Sequence, residues 1–158
     1  MKKINFFSCL LVILSICMFP VSSQAQTCEA LDARKLKEML IGMGLTVKDL
    51  NTEAGKEKYE VSLSAGGFNI PVGYEISPSG NFVWLTANLG KPKDATSTMN
   101  AELLKQNANI QPCQFYISGK GNLMMGLAIE NRGLTPAIMR RHTDKFSGDV
   151  SKTSSYWQ

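Results

Sequence analysis

The chain has 158 residues, 44% of them hydrophobic and 19% charged, with 17 basic side chains against 13 acidic ones for a formal net charge of +4. So small an excess, with no dense Lys/Arg run interleaved with aromatics, argues against a nucleic-acid partner. The length accommodates one domain comfortably and two poorly.

Residues 1–25 read as a cleavable secretory signal peptide. Lys2 and Lys3 make a positive start, an apolar run follows from Phe6 to Phe19, and Pro20 breaks it before polar Ser22-Ser23-Gln24. Ser23 and Ala25 supply the small side chains that signal peptidase accepts, so cleavage is expected between Ala25 and Gln26. A retained anchor needs roughly twenty apolar residues, and Asn5 and Ser8 interrupt an already shorter run. A lipid anchor fits no better, because bulky Ile16 and Thr27 precede Cys17 and Cys28. The expected product is a periplasmic or secreted protein, residues 26–158, with no stable membrane insertion. Its formal charge is +2, since Lys2 and Lys3 leave and fifteen basic groups then face thirteen acidic ones.

Cys9 and Cys17 also leave with the leader. Cys28 and Cys113 remain in an oxidising compartment, where an even pair reads first as a disulfide. Such a bridge would close roughly 85 residues and contribute about 4 kcal/mol in the chain-entropy model. Two buried free thiols are the alternative.

The mature chain opens with a predicted helix over residues 27–43, where Leu31, Leu36, Met39, Leu40 and Met43 recur near helical spacing and Arg34, Lys35, Lys37 and Glu38 take the wet side. Thr27 or a nearby polar residue would cap it, and Gly42 and Gly44 would end it. Residues 51–56 are a polar loop. Beyond it the apolar period changes to two: Tyr59, Val61 and Leu63, then Gly66-Gly67 as a turn, then Phe68, Ile70, Val72, Tyr74 and Ile76. Pro71 lacks a ladder donor, so the second strand should lie on an edge there or be bulged. Ser77-Pro78-Ser79-Gly80 is turn chemistry. The unbroken run Phe82-Val83-Trp84-Leu85 then predicts a central strand covered on both faces.

Residues 90–94 form a breaker-rich loop, and Thr96 or Thr98 can cap a second helix carrying Met99, Leu103 and Leu104, which is over by Pro112. Phe115 and Ile117, a turn over Gly119 to Asn122, and alternating Leu123, Met125, Leu127 and Ile129 make a second hairpin. Thr135-Pro136 opens the last helix as hydroxyl cap and first-turn proline. Its stripe comprises Ile138, Met139, His142, Phe146 and Val150, extended to Trp157. The order α-β-β-β-α-β-β-α predicts an α+β domain, an antiparallel sheet of about five strands with helices on one side.

That order carries particular residues with it. Leu103-Leu104-Lys105-Gln106-Asn107 closes the middle helix, Pro112 precedes a strand opening at Phe115, the Gly119 to Asn122 turn leads into an apolar strand, and Leu134-Thr135-Pro136 starts the last helix. In these features the chain resembles the type III secretion chaperone-like fold and its YbjN-like relatives, described as sensory transduction regulators. The resemblance implies a non-enzymatic domain that binds a polypeptide partner or supports an assembly, often as a homodimer. The matching positions are core and turn residues, so it transfers no binding residue. Chaperones of that type work in the cytosol, whereas the leader here predicts export.

The chain offers little chemistry of its own. His142, the single histidine, sits beside an apolar stripe and reads as a packed or boundary residue. Cys113 and His142 lie on separate elements with no local signature of a cysteine nucleophile. The mature chain's three Cys and His residues are too few and too scattered for structural zinc. Met39, Met43, Met124 and Met125 include core-facing members, which leaves soft-metal binding as the weaker alternative. Gly119-Lys120-Gly121-Asn122 precedes a strand and is no phosphate loop. Arg140, Arg141 and Lys145 read as a solvated helix side. No catalytic residue, cofactor or metal is implied. The leading expectation is a polypeptide-binding or envelope-assembly module, and the alternative is a binding protein for a small ligand or soft metal ion, held between the sheet and its helices.

Overall fold

Asp32 decides where the first helix begins. Its carboxylate accepts from the Lys35 backbone N–H at 2.7 Å and caps helix α1, Ala33–Gly42, which therefore starts later than the sequence pattern suggests. The computed structural model describes residues 29–92 and 96–158, so Thr27, the leader with its Ala25/Gln26 junction, and Cys28 lie outside the described residues. Ahead of the cap the chain is extended: Ala30 forms a β-bridge with Arg132. Leu36 and Leu40 are the fully buried members of α1, while Leu31, Met39 and Met43 pack on the margin of the core.

Six strands follow in one antiparallel sheet: β1 Val47–Asn51, β2 Lys58–Ala65, β3 Phe68–Ile76, β4 Phe82–Asn88, β5 Gln114–Ile117 and β6 Leu123–Glu130, in the order β1-β2-β3-β4-β6-β5. The fold is the α+β class expected, with one strand more than the sequence suggested. β1 has no apolar alternation to reveal it. Lys48, Asp49 and Leu50 are all exposed, and backbone pairing to β2, from Val47 opposite Val61 to Asn51 opposite Lys58, holds it in place.

The β2–β3 hairpin turns at Gly66 and Gly67, whose φ values of 55° and 83° suit a two-residue turn that L side chains resist. A Cβ on Gly66 would lie 1.9 Å from Ser151 Oγ, so the turn sits directly against the last helix. Pro71 falls where β3 is paired to β2 but lies outside the stretch covered by β4, which begins at Val72. The missing donor thus meets a local edge in an otherwise internal strand, as its sequence position predicted.

Helix α2, Ser97–Asn109, takes Thr96 as its cap and flanks β5. The side chain of Asn107 reaches the outer edge of that strand, accepting from Phe115 N at 2.6 Å and donating to Phe115 O at 3.3 Å. Helix α3, Pro136–Lys152, begins at the Thr135 cap with proline in its first turn, and lies across β2, β3, β4 and β6. Phe146 and Met139 are fully buried between it and the sheet. Trp157 is not part of this helix. Thr153 Oγ1 donates back to Asp149 O, a 3₁₀ turn Ser154–Tyr156 follows, and Trp157 returns to donate to Val150 O at 3.0 Å and pack edge-on against Phe68.

A polar pair crosses this core. Tyr74 Oη and Thr143 Oγ1 are 3.0 Å apart and buried, and burial pushes the Tyr74 hydroxyl up to about 12, so it stays protonated. Tyr74→Phe is expected to lower the unfolding free energy by about 1 kcal/mol in urea titrations, the net value of one buried hydrogen bond.

Candidate functional site

Alternation sends Val83, Leu85 and Ala87 of β4 toward the helices, with Val72 and Tyr74 of β3 and Met125 and Leu127 of β6. The opposite residues of the same strands face away from α1 and α3. Phe82, Trp84 and Thr86 belong to that second face. The expectation that β4 is covered on both sides is therefore corrected: Phe82 is 43% exposed and Trp84 is half-buried. The unbroken apolar run came from a core-facing pair, Val83 and Leu85, interleaved with two aromatics on the open face.

That face holds the principal cavity among the described residues, about 720 Å³, bounded by Trp84, Thr86, Gln114 and Tyr116 on the sheet and by the β1–β2 loop and Ser77-Pro78 at its rim. Thr86 and Gln114, which line it, belong to one cross-strand row with Gly73 and Gly126. A Cβ on Gly126 would meet Tyr116 Cε1 at 2.9 Å and Trp84 Cζ3 at 3.7 Å. The glycine therefore lets both rings approach the backbone between them. Across the row, a Cβ on Gly73 would meet Lys58 Cε and Thr86 Oγ1, each at 2.9 Å.

Both rim lysines are paired, whereas Glu57 meets a backbone N–H. Lys58 Nζ lies 3.3 Å from Glu75 Oε2, Lys56 donates to Glu53 at 2.6 Å, and Glu57 accepts from Gly55 N at 2.9 Å. Burial, with the Glu75 charge second, raises the Tyr116 hydroxyl above its ordinary range, which keeps its proton in place for donation. Among the described residues the indole N–H of Trp84, the Tyr116 and Thr86 hydroxyls and the Gln114 amide make no hydrogen bond to protein, and none of these groups is sealed from solvent. The arrangement offers aromatic area and free polar groups.

The residues singled out from sequence lie elsewhere. Cys113 is buried on the helix side, and its thiol is pushed up to about 12 by burial first, then by the hydrogen bond and negative charge of Asp149, with Lys145 opposing. It has no thiolate to offer at neutral pH. Its candidate bridge partner, Cys28, lies outside the described residues. His142 is half-buried on α3, and partial burial with neighbouring Arg141 lowers its pKa. Met125 is in the core, and Met39 and Met43 pack against it. Arg140, Arg141 and Lys145 do not act together: Arg140 donates to Met43 O and Lys145 pairs with Asp149 at 2.7 Å.

Trp84, Tyr116 and Gly126 are not legible as a group in the sequence because they lie on three strands whose order it does not give. One signal was available: counting by two along β4 puts Trp84 with Thr86, opposite Val83 and Leu85.

No protein-family model matches the chain, and no curated protein matches it. Solved structures do match. A chain of the HopA1–SchA chaperone–effector complex superposes with a TM-score of 0.51 at 12% identity, over 77% of this chain and 88% of that one. A chain of the heterodimeric ExoU–SpcU complex, from the type III secretion system of Pseudomonas aeruginosa, gives a TM-score of 0.44 at 14% identity, over 73% and 91%. The first of these establishes a shared α+β fold.

Proposed function

We propose that this chain is an exported, non-enzymatic module that binds a polypeptide partner on the open face of its sheet. The observation that carries the reading is that the Trp84 and Tyr116 rings line one open groove beside polar groups that make no hydrogen bond among the described residues. The likeness to a chain of a chaperone–effector complex supports it, since such a complex joins a folded domain to a polypeptide. Export through cleavage after Ala25, a Cys28–Cys113 bridge, an envelope-assembly role and the YbjN-like affinity are parts of the same proposal. An intact mass that shifts on reduction, with Gln26 as first residue, supports the first two; an unshifted mass removes the bridge. A homodimer belongs here as well, drawing on Leu104 and Ile117, which are 70% and 48% exposed beside one another's elements. Sedimentation at a single monomer mass over a wide concentration range would remove it.

The groove is tested by a photo-crosslinking side chain at exposed Gln114, in envelope extract. The expected result is a discrete polypeptide adduct that Trp84→Ala abolishes and Arg141→Ala leaves intact. A second reading, a small-ligand binder, draws on the cavity volume, which lies in the range of small-molecule pockets. That ligand would occupy the open face and not the filled space between sheet and helices. A small molecule retained in native mass spectra, with no polypeptide adduct, would replace the first reading by the second.

A further inference from the structure

The open face continues past the groove. Along β4 and β6 the cross-strand pairs Thr86–Gly126, Trp84–Ala128 and Phe82–Glu130 lead from it toward one end of the sheet. Ala128 is exposed, and Phe82 is 43% exposed. At that end Phe82 and Arg132 line a second cavity of about 480 Å³ with Asn81 and Glu130. Arg132 is also the residue to which Ala30 bridges, one position after Glu29, where the described chain begins. The polypeptide that precedes Glu29 therefore joins the fold at the head of a track, Phe82, Ala128 and Trp84, that leads into the groove.

That preceding segment suits the track in length and in charge. Arg132 to Ala128 is four residues along β6, about 13 Å. Ser22 to Cys28, laid out in extended form, reaches about 23 Å, which brings Phe19, Pro20 and Val21 within range of Phe82 and Trp84. From Ile4 to Cys28 the sequence holds no charged side chain, so covering the track with it strands no charge. A tether gives such a segment an effective concentration in about the millimolar range, against which an untethered partner must compete. We propose that in the unprocessed chain Phe19-Pro20-Val21 lies on the Phe82–Trp84 track and closes the groove to other polypeptides, and that cleavage after Ala25 opens it. The occupant is this chain's own leader. Once it is cut away, Gln26 to Cys28 reaches only about 10 Å and falls short of Trp84. The proposal rests on the readings above, a polypeptide-binding open face and a leader cut after Ala25, and specifies when that face becomes available.

In the test, the photo-crosslinker p-benzoylphenylalanine takes the place of Phe82, an exposed aromatic position. It is placed in the full chain and in a chain beginning at Gln26, both made without membranes. Irradiation of the full chain is expected to give an intramolecular adduct at monomer mass, mapped by mass spectrometry to residues 18–25. Its yield should hold over about a hundredfold dilution, as a tethered contact requires. The same label at exposed Ile41 on α1 should give no adduct with those residues. Phe19→Asp combined with Val21→Asp should lower the Phe82 yield by about tenfold, since a charge would then be laid on the track. An adduct found only at dimer mass would make the occupant a neighbouring copy's leader and overturn the proposal. So would a full chain that melts cooperatively yet gives no adduct in residues 18–25. If the full chain does not melt cooperatively, a peptide of residues 16–25 is added to the chain beginning at Gln26, and failure to label it saturably at Phe82 overturns the proposal equally. The polypeptide reading stands or falls separately, on the Gln114 adduct of the processed chain.

Discussion

Asn131→Ala is expected to destabilise the protein by about 3 kcal/mol, a large share of the roughly 5–15 kcal/mol that holds a domain together. The side chain is completely buried at the end of β6. Its Oδ1 accepts from Leu31 N at 3.0 Å, and its Nδ2 donates to Leu31 O and to Gly80 O, each at 2.9 Å. One amide thus joins the segment before α1, the turn before β4 and the end of β6, across 100 and 51 residues of sequence. Alanine would leave three half-buried backbone groups without their partner. Urea titration reads the loss. Hydrogen exchange at Leu31 should accelerate by more than exchange at Leu127 in the same variant. Equal acceleration at both positions would show that Asn131 acts on the global fold and has no special hold on the entry segment.

Phe146→Ala is expected to cost more, about 3–5 kcal/mol, through lost burial and the cavity left under α3. Phe146 is fully buried, and the helix it anchors spans four strands, so nearby groups cannot collapse into the gap without moving the sheet. His142→Ala, one turn earlier on the same helix, is the informative companion. It removes a half-buried ring that makes no side-chain hydrogen bond among the described residues, and should stay within about 0.5 kcal/mol of the parent. Comparable losses for the two variants would mean that the histidine contributes to the core, contrary to its position.

Local chemistry made much of this architecture legible. Thr135-Pro136, Thr96 and Gly66-Gly67 each announce an element boundary through a cap or turn whose mechanism is contained in two or three neighbouring residues. Period-two runs in β2, β3 and β6 show which side chains meet the helices. β1 escaped notice because its order comes from hydrogen bonds to β2, and its side chains carry no pattern. Trp157 fits the spacing of the last helix, but the Thr153 hydroxyl turns the chain before it arrives. The groove is the least legible part. Trp84, Gly126 and Tyr116 become neighbours only when β6 inserts between β4 and β5, and the glycine is informative only once the rings that approach it are known.

The hydrogen bonds from Asn107 to Phe115 bear on how the sheet ends. In an antiparallel ladder the N–H and C=O of alternate residues point to the same side, so Phe115 and Ile117 both turn their backbone groups outward from β5. One asparagine amide supplies the donor and acceptor that a seventh strand would have presented to Phe115. In the language of polymer growth the side chain is a terminator: it occupies the next addition site with a group that offers no onward template. A strand added at this edge would first have to displace that amide from Phe115.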